Sequence, residues 1–259
     1  MTKAVFVERD GPIATVVLNQ PERRNAMNRA IFQGLNDAFV ECDADTDLRC
    51  VIIRGEGGRA FSAGADISEF ETERNSAAKA REYAKVFHAA ANAVGNCRHP
   101  VVAQIDGACV GGGLAIATLC DIRICGQSSR FGVPVKRLGL VEAHVEMAPL
   151  VHKFGANVAL EILLIGDVFG VDDAKRLGLV NRVVPDEKVA TEARNIAGKI
   201  ADGAPLSARW HKKFIYRLLD PTPLSDAEID EGFDCYDTED FQTGYKAFLA
   251  KQNPVFKGR

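Results

Sequence analysis

Val101-Val102-Ala103-Gln104-Ile105-Asp106-Gly107-Ala108-Cys109-Val110-Gly111-Gly112-Gly113-Leu114-Ala115-Ile116-Ala117-Thr118-Leu119-Cys120 is the stretch whose reading decides the fold. Its first five residues are an apolar run that reads as a buried strand, and Leu114 to Cys120 reads as a helix. A strand that breaks at glycines and restarts as a helix leaves backbone NH groups unpaired at the positive end of the helix dipole. Such a corner suits a developing negative charge.

Upstream, Val5 to Val7 and Ile13 to Leu18 read as two strands joined by a turn at Asp10-Gly11-Pro12. Met27, Ile31, Leu35, Phe39 and Cys42 recur at helical spacing, which predicts an amphipathic helix capped by Asn25 or Asn28. Cys50 to Arg54 is a strand with almost no polar interruption, as in a sheet covered on both faces. In the following Phe61 to Ile67, the small residues Ala63, Gly64 and Ala65 let a ligand approach the backbone closely. Ser68 to Ser76 is acidic and without period and reads as a mobile surface loop. A helix with Ala80, Ala84, Phe87, Ala91 and Val94 on one face then ends at Gly95.

Downstream, Asp121 to Cys125 is a short strand, and Phe131 to Leu140 winds through a loop towards Glu142, His144 and Glu146. Ala156 to Leu164 reads as a helix, Asp172 as the cap of Asp173 to Leu177, and Leu179 to Val184 as a last strand. Repeated strand, loop and helix units argue for an α/β fold with mainly parallel pairing. Beyond them only helices are expected: Glu187 to Ala201, Leu206 to Leu219, Leu224 to Tyr236 and Asp240 to Lys251. The boundary falls near residue 196, giving a core of 1–195 and a helical region of 196–259. A helical tail of this size needs the core or another subunit to cover it.

The 259 residues are 47% hydrophobic and 26% charged, which is a globular composition able to bury a full core. A formal charge of −3 lacks the basic face of a nucleic-acid binder. Neither a leader peptide nor a membrane span is legible, and the seven cysteines are scattered without a CxxC pair. A cytoplasmic protein with reduced, mostly buried cysteines is expected. No metal-ligand pattern is present in the sequence.

Six pieces carry a resemblance: Pro21 to Met27 (PERRNAM), Phe61 to Ile67 (FSAGADI), Pro100 to Ile122, Phe131 to Leu140 (FGVPVKRLGL), Asp173 to Pro185 (DAKRLGLVNRVVP) and Gly244 to Lys251 (GYKAFLAK). In order and spacing they resemble the crotonase, or enoyl-CoA hydratase/isomerase, superfamily over nearly the whole chain. The resemblance implies a spiral of ββα units with a C-terminal helical region that builds a homotrimer or a dimer of trimers. It also implies an acyl-CoA substrate, with coenzyme A present only as part of the thioester and no permanently bound cofactor. The implied oxyanion donors are the NH groups of Ala65 and Gly112. The implied substrate contacts are Arg24, Ala63, Ala65, Asp66, Ile67, Ser68, Gly112, Val135 and Leu140, with Phe248 and Lys251 near the adenine end.

The chain departs from the hydratase pattern at both of its glutamate positions, which are Ala115 and Val135 here. A third carboxylate position known in the family falls on Ala143, flanked by Glu142, His144 and Glu146. Glu142 and His144 are the candidate proton carriers. One carboxylate suits double-bond isomerisation, since a single base can remove and return the proton. The competing readings are a hydratase with another acid/base set, a non-catalytic acyl-CoA binder, and a serine hydrolase suggested by Ala60-Phe61-Ser62-Ala63-Gly64, which lacks the first glycine of a nucleophile elbow. Dinucleotide binding fails because Gly107 to Gly113 does not follow GxGxxG.

Overall fold

A computed structural model describes residues 3–259. β1 (Val5–Asp10) and β2 (Ile13–Leu18) pair antiparallel around Gly11, whose φ of +57° closes the turn. Helix α1 (Arg29–Ala44) begins at Asn28, whose side chain accepts the Ile31 NH at 2.9 Å. Asn25, the alternative cap, is buried elsewhere. β3 (Cys50–Gly55) then lies parallel to β2 and leads into the short β4 (Ala60–Ser62).

From here the chain repeats one unit. β3 and β4 are followed by α2 (Phe70–Glu73) and α3 (Ala77–Asn96), and β5 (Val101–Ile105) and β6 (Ala108–Val110) by α4 (Gly112–Leu119). β7 (Ile122–Gly126) and β8 (Arg130–Gly132) lead to α5 (His144–Phe154) and α6 (Ala156–Leu160), which continues as one π-helical turn, Glu161–Ile165. In each unit the first strand joins a six-stranded sheet and the second joins a parallel three-stranded sheet, β4-β6-β8. The larger sheet has the order β1-β2-β3-β5-β7-β9, all parallel except the first pair. α7 (Val171–Arg176) precedes its last strand, β9 (Arg182–Val184).

The unbroken apolar strands follow from coverage on both faces. Val51, Ile53, Val101 and Ala103 pack under α1, α3 and α4 in the main core with Phe32, Phe39, Phe61 and Phe131. Cys50, Ile52, Val102 and Ile124, on the other face, pack against Val189, Ala193, Ile196 and Ala197 of α8 (Val189–Ala201). The boundary expected near 196 therefore falls inside a helix that covers the sheet. α9 (Pro205–Arg217), α10 (Asp226–Asp230) and α11 (Glu239–Leu249) follow. α9 docks on the core through Lys212, 2.8 Å from Asp121, and Tyr216, whose hydroxyl donates to Asp121 at 2.6 Å.

Three local expectations need correction. Ser68 to Ser76 is not an irregular loop: Ile67–Glu69 is a 3-10 turn that runs into α2. Its acidic residues are engaged by distant partners, Glu69 by the Arg29 NH and the Tyr83 hydroxyl and Glu73 by the Arg29 guanidinium. α7 starts at Val171 behind Gly170 rather than behind Asp172, because the Phe131–Phe169 bridge delivers the chain to the helix two residues earlier. Leu224 to Tyr236 is not one α-helix: α10 gives way to a 3-10 helix, Glu231–Asp237. Among the described residues no helix is long and apolar enough to cross a membrane.

Candidate active site

Arg24 and Asn25 adopt left-handed backbone, with φ of 52° and 55°. The turn is held by Asn25, whose buried amide donates to the carbonyls of Glu56 at 3.0 Å and Ala60 at 2.8 Å. The segment after it zips onto the strand exit: Ala63 NH donates to Arg24 O at 3.0 Å, Met27 NH to Gly64 O at 2.7 Å and Asp66 NH to Met27 O at 2.9 Å. That pairing uses the residues on either side of Ala65 and turns the Ala65 NH the other way. Gly64, with φ +97°, brings this loop against Val110; a Cβ there would sit 2.9 Å from the Val110 carbonyl oxygen.

Gly112 is the first residue of α4, so its NH has no partner within the helix. A Cβ on Gly112 would lie 3.7 Å from the Ala65 nitrogen, so the two peptide groups are neighbours. Among the described residues neither NH has an acceptor. Both border one cavity of 380 Å³, lined also by Ala63, Ile67, Val135, Leu140 and Glu142. Its lining also includes four aromatic side chains, Phe32, Phe70, Tyr83 and Phe87.

Glu142 precedes α5 and Glu146 lies in its first turn, where its Oε2 accepts the Ala143 NH at 2.8 Å. Burial, and then the adjacent Glu146 carboxyl, push Glu142 up to about 8. Both carboxyls line the main cavity and an adjoining 20 Å³ space that Ala115 also borders. The space left by the alanine is thus reached by acids from another element. A space of that size is close to that of one water.

The structure brings Ala63, Ala65, Ile67, Gly112, Val135, Leu140 and Glu142 into one cavity. It does not bring His144, which is exposed at the start of α5 and lies outside the cavity lining. Asp66 and Ser68 stand behind the loop: Asp66 pairs with Arg23 at 2.6 Å and accepts the Ser68 NH at 3.0 Å. Those contacts, the Ser68 hydroxyl first, hold the Asp66 carboxyl below the usual carboxylate range. Arg24 contributes its carbonyl to the loop while its side chain is exposed. Phe248 is 82% exposed on α11 and Lys251 is exposed just beyond it, both outside this cavity in the same chain. Ser62 is buried and its Oγ accepts the Gly64 NH at 3.1 Å, which corrects the nucleophile-elbow reading.

The sequence did not single out Arg74, which lines the same cavity, or His88, whose Nε2 lies 3.8 Å from the Glu146 carboxylate. Glu146 is far from His88 along the chain, and Tyr83, which joins Phe70 under the Arg74 guanidinium, lies on another helix.

The sequence profile described as Enoyl-CoA hydratase/isomerase matches residues 8–259. The chain is 32% identical over 259 residues to a short-chain-enoyl-CoA hydratase of Clostridium acetobutylicum, covering 98% of each. It is 31% identical over 254 residues to a crotonyl-CoA hydratase of Syntrophomonas wolfei, covering 97% of each. Among solved structures, an enoyl-CoA hydratase/carnithine racemase of Magnetospirillum magneticum matches with a TM-score of 0.98 and 46% identity over 100% of this chain and 97% of that one.

Proposed function

The chain belongs to the enoyl-CoA hydratase/isomerase family, the crotonase superfamily, and from that premise we propose that it moves a proton on an acyl-CoA thioester through an enolate. The observation that carries this is the meeting of the Ala65 NH, the Gly112 NH and the Glu142 carboxyl in one 380 Å³ cavity, while Ala115 and Val135 can carry no proton.

The ionised Glu142 takes a proton from the carbon that lies between the thioester carbonyl and the acyl double bond. The electron pair of that C–H bond moves directly into the carbonyl, whose oxygen becomes the oxyanion of a dienolate between the two NH donors. The Glu142 acid then returns the proton to the other end of the allylic system, and the double bond has migrated. Glu146 Oε2 is engaged by the Ala143 NH, so Glu142 is taken as the carrier that meets the substrate, and one carrier favours isomerisation.

A second reading is hydration, and the 20 Å³ space between Glu142, Glu146 and Ala115 favours it, because one water there would face two carboxyls. A non-catalytic acyl-CoA binder is the third. Under any of them the exposed apolar residues of the last helices serve self-association as a homotrimer or dimer of trimers, in the cytoplasm.

Two thioesters separate these readings by their ultraviolet absorbance, 3-hexenoyl-CoA gaining conjugation on isomerisation and crotonyl-CoA losing it on hydration. We expect rapid gain with the first and slow loss with the second. Gly112→Ala keeps the fold, because its methyl makes only ordinary contacts, yet slows turnover about 100-fold or more by crowding the donors. Rapid, Gly112-dependent loss from crotonyl-CoA would select hydration; binding of both thioesters without turnover would select the binder.

A further inference from the structure

Arg74 lies at the end of α2, half-buried in the lining of the cavity. Its guanidinium centre stands 4.3 Å from the Phe70 ring centroid and 5.1 Å from that of Tyr83. Among the described residues it has neither an ion-pair partner nor a side-chain hydrogen bond, although carboxylates surround it in sequence. Glu73 is taken by Arg29 at 2.6 Å, and Glu69 by the Tyr83 hydroxyl at 2.6 Å. The other half-buried or buried arginines are engaged: Arg29 and Arg54 pair with glutamates, Arg49 and Arg123 donate to carbonyls, and so do Arg209 and Arg217. Arg74 alone among them has no ion pair and no side-chain hydrogen bond: it lies over two rings, and its charge acts on the Glu142 carboxyl without a direct contact.

An unpaired guanidinium is a costly lining for an apolar tail, since the tail would strip its water and offer no acceptor in exchange. A carboxylate would accept two parallel NH bonds from the same group. Arg74 shares the cavity lining with the buried Phe32, Tyr83 and Phe87, whereas Arg137, Leu138 and Val141 of the same lining are exposed. Resting on the acyl-CoA reading of this cavity, we propose that Arg74 is a specificity-determining residue, and that the acyl group accepted here carries a carboxylate at its end remote from the thioester.

The test is calorimetric binding of two saturated thioesters with equal acyl carbon count, glutaryl-CoA and valeryl-CoA, to the wild-type chain, Arg74→Met and Arg74→Lys. Glutaryl-CoA should bind the wild type about 30-fold tighter, the scale of a hydrogen bond between charged groups. Arg74→Met should abolish the preference for glutaryl-CoA while binding valeryl-CoA at least as tightly as the wild type does, which also reports that the variant is folded. Arg74→Lys should lose part of the preference only. Equal affinity of the two thioesters for the wild type would overturn the proposal and leave the acyl-CoA reading standing. An equal loss for both thioesters in both folded variants would overturn it too, and would place Arg74 on the phosphates of coenzyme A. Binding of neither thioester to the folded wild type would overturn the acyl-CoA reading beneath it.

Discussion

Glu142 is held in its protonated form at neutral pH because burial penalises the charge and Glu146 adds a second negative group beside it. If it acts as the base, kcat/KM rises with pH through about 8, and Glu142→Gln removes that limb while lowering kcat/KM about 100-fold or more. The same shift costs stability. The folded chain keeps this proton from the ordinary carboxylate value of 4.5 up to about 8 while the unfolded chain has released it, so stability falls with rising pH across that window. Glu142→Gln should therefore flatten the loss and unfold at a higher temperature than wild type at pH 9, as followed by circular dichroism; an unchanged pH dependence of melting would refute the assignment. At this scale the sequence placed the apolar Ala115 and Val135 where the resemblance implies glutamates, and it marked Glu142 by offset alone. His144 stands two residues away and looked equally able, but only the start of α5 decides that one side chain faces the cavity and the other solvent.

At the scale of the element, α4 sits where it does because Gly113 has no side chain. A Cβ there would lie 2.8 Å from the Ser62 side chain and from the Ser62 carbonyl oxygen, both buried. Gly113→Ala should push the helix off β4 and cost about 1–3 kcal/mol, read as a lower urea midpoint with an unchanged slope, together with lost activity. Gly112→Ala, one residue away, should lose activity at full stability, and equal midpoints for the two variants would undo this division of labour. The strand, glycine and helix order was legible from apolar run length and glycine placement. The short helical turns at Ile67–Glu69 and α2 were not, since Glu69 and Glu73 owe their order to Arg29 and Tyr83 on other elements.

At the scale of the molecule, the last helices carry Ile215, Leu218, Phe233, Phe248 and Leu249 on the exposed surface, the last two 82% and 75% exposed. A self-associating chain would cover them. Sedimentation velocity should give a species three or six times the mass of the chain, and Phe248→Asp should shift it towards single chains; a wild-type monomer would remove the oligomer. The sequence by itself determined the spiral of strand and helix units and the family, because apolar period, glycine placement and motif order are properties of neighbours along the chain. Only the tertiary structure decided that the Ala65 and Gly112 NH groups share a cavity with Glu142 and Glu146, that His88 stands beside Glu146, and that Arg74 lines the same cavity unpaired. Those relations join residues from separate turns of the spiral, and their directions are set by how the sheets and helices pack.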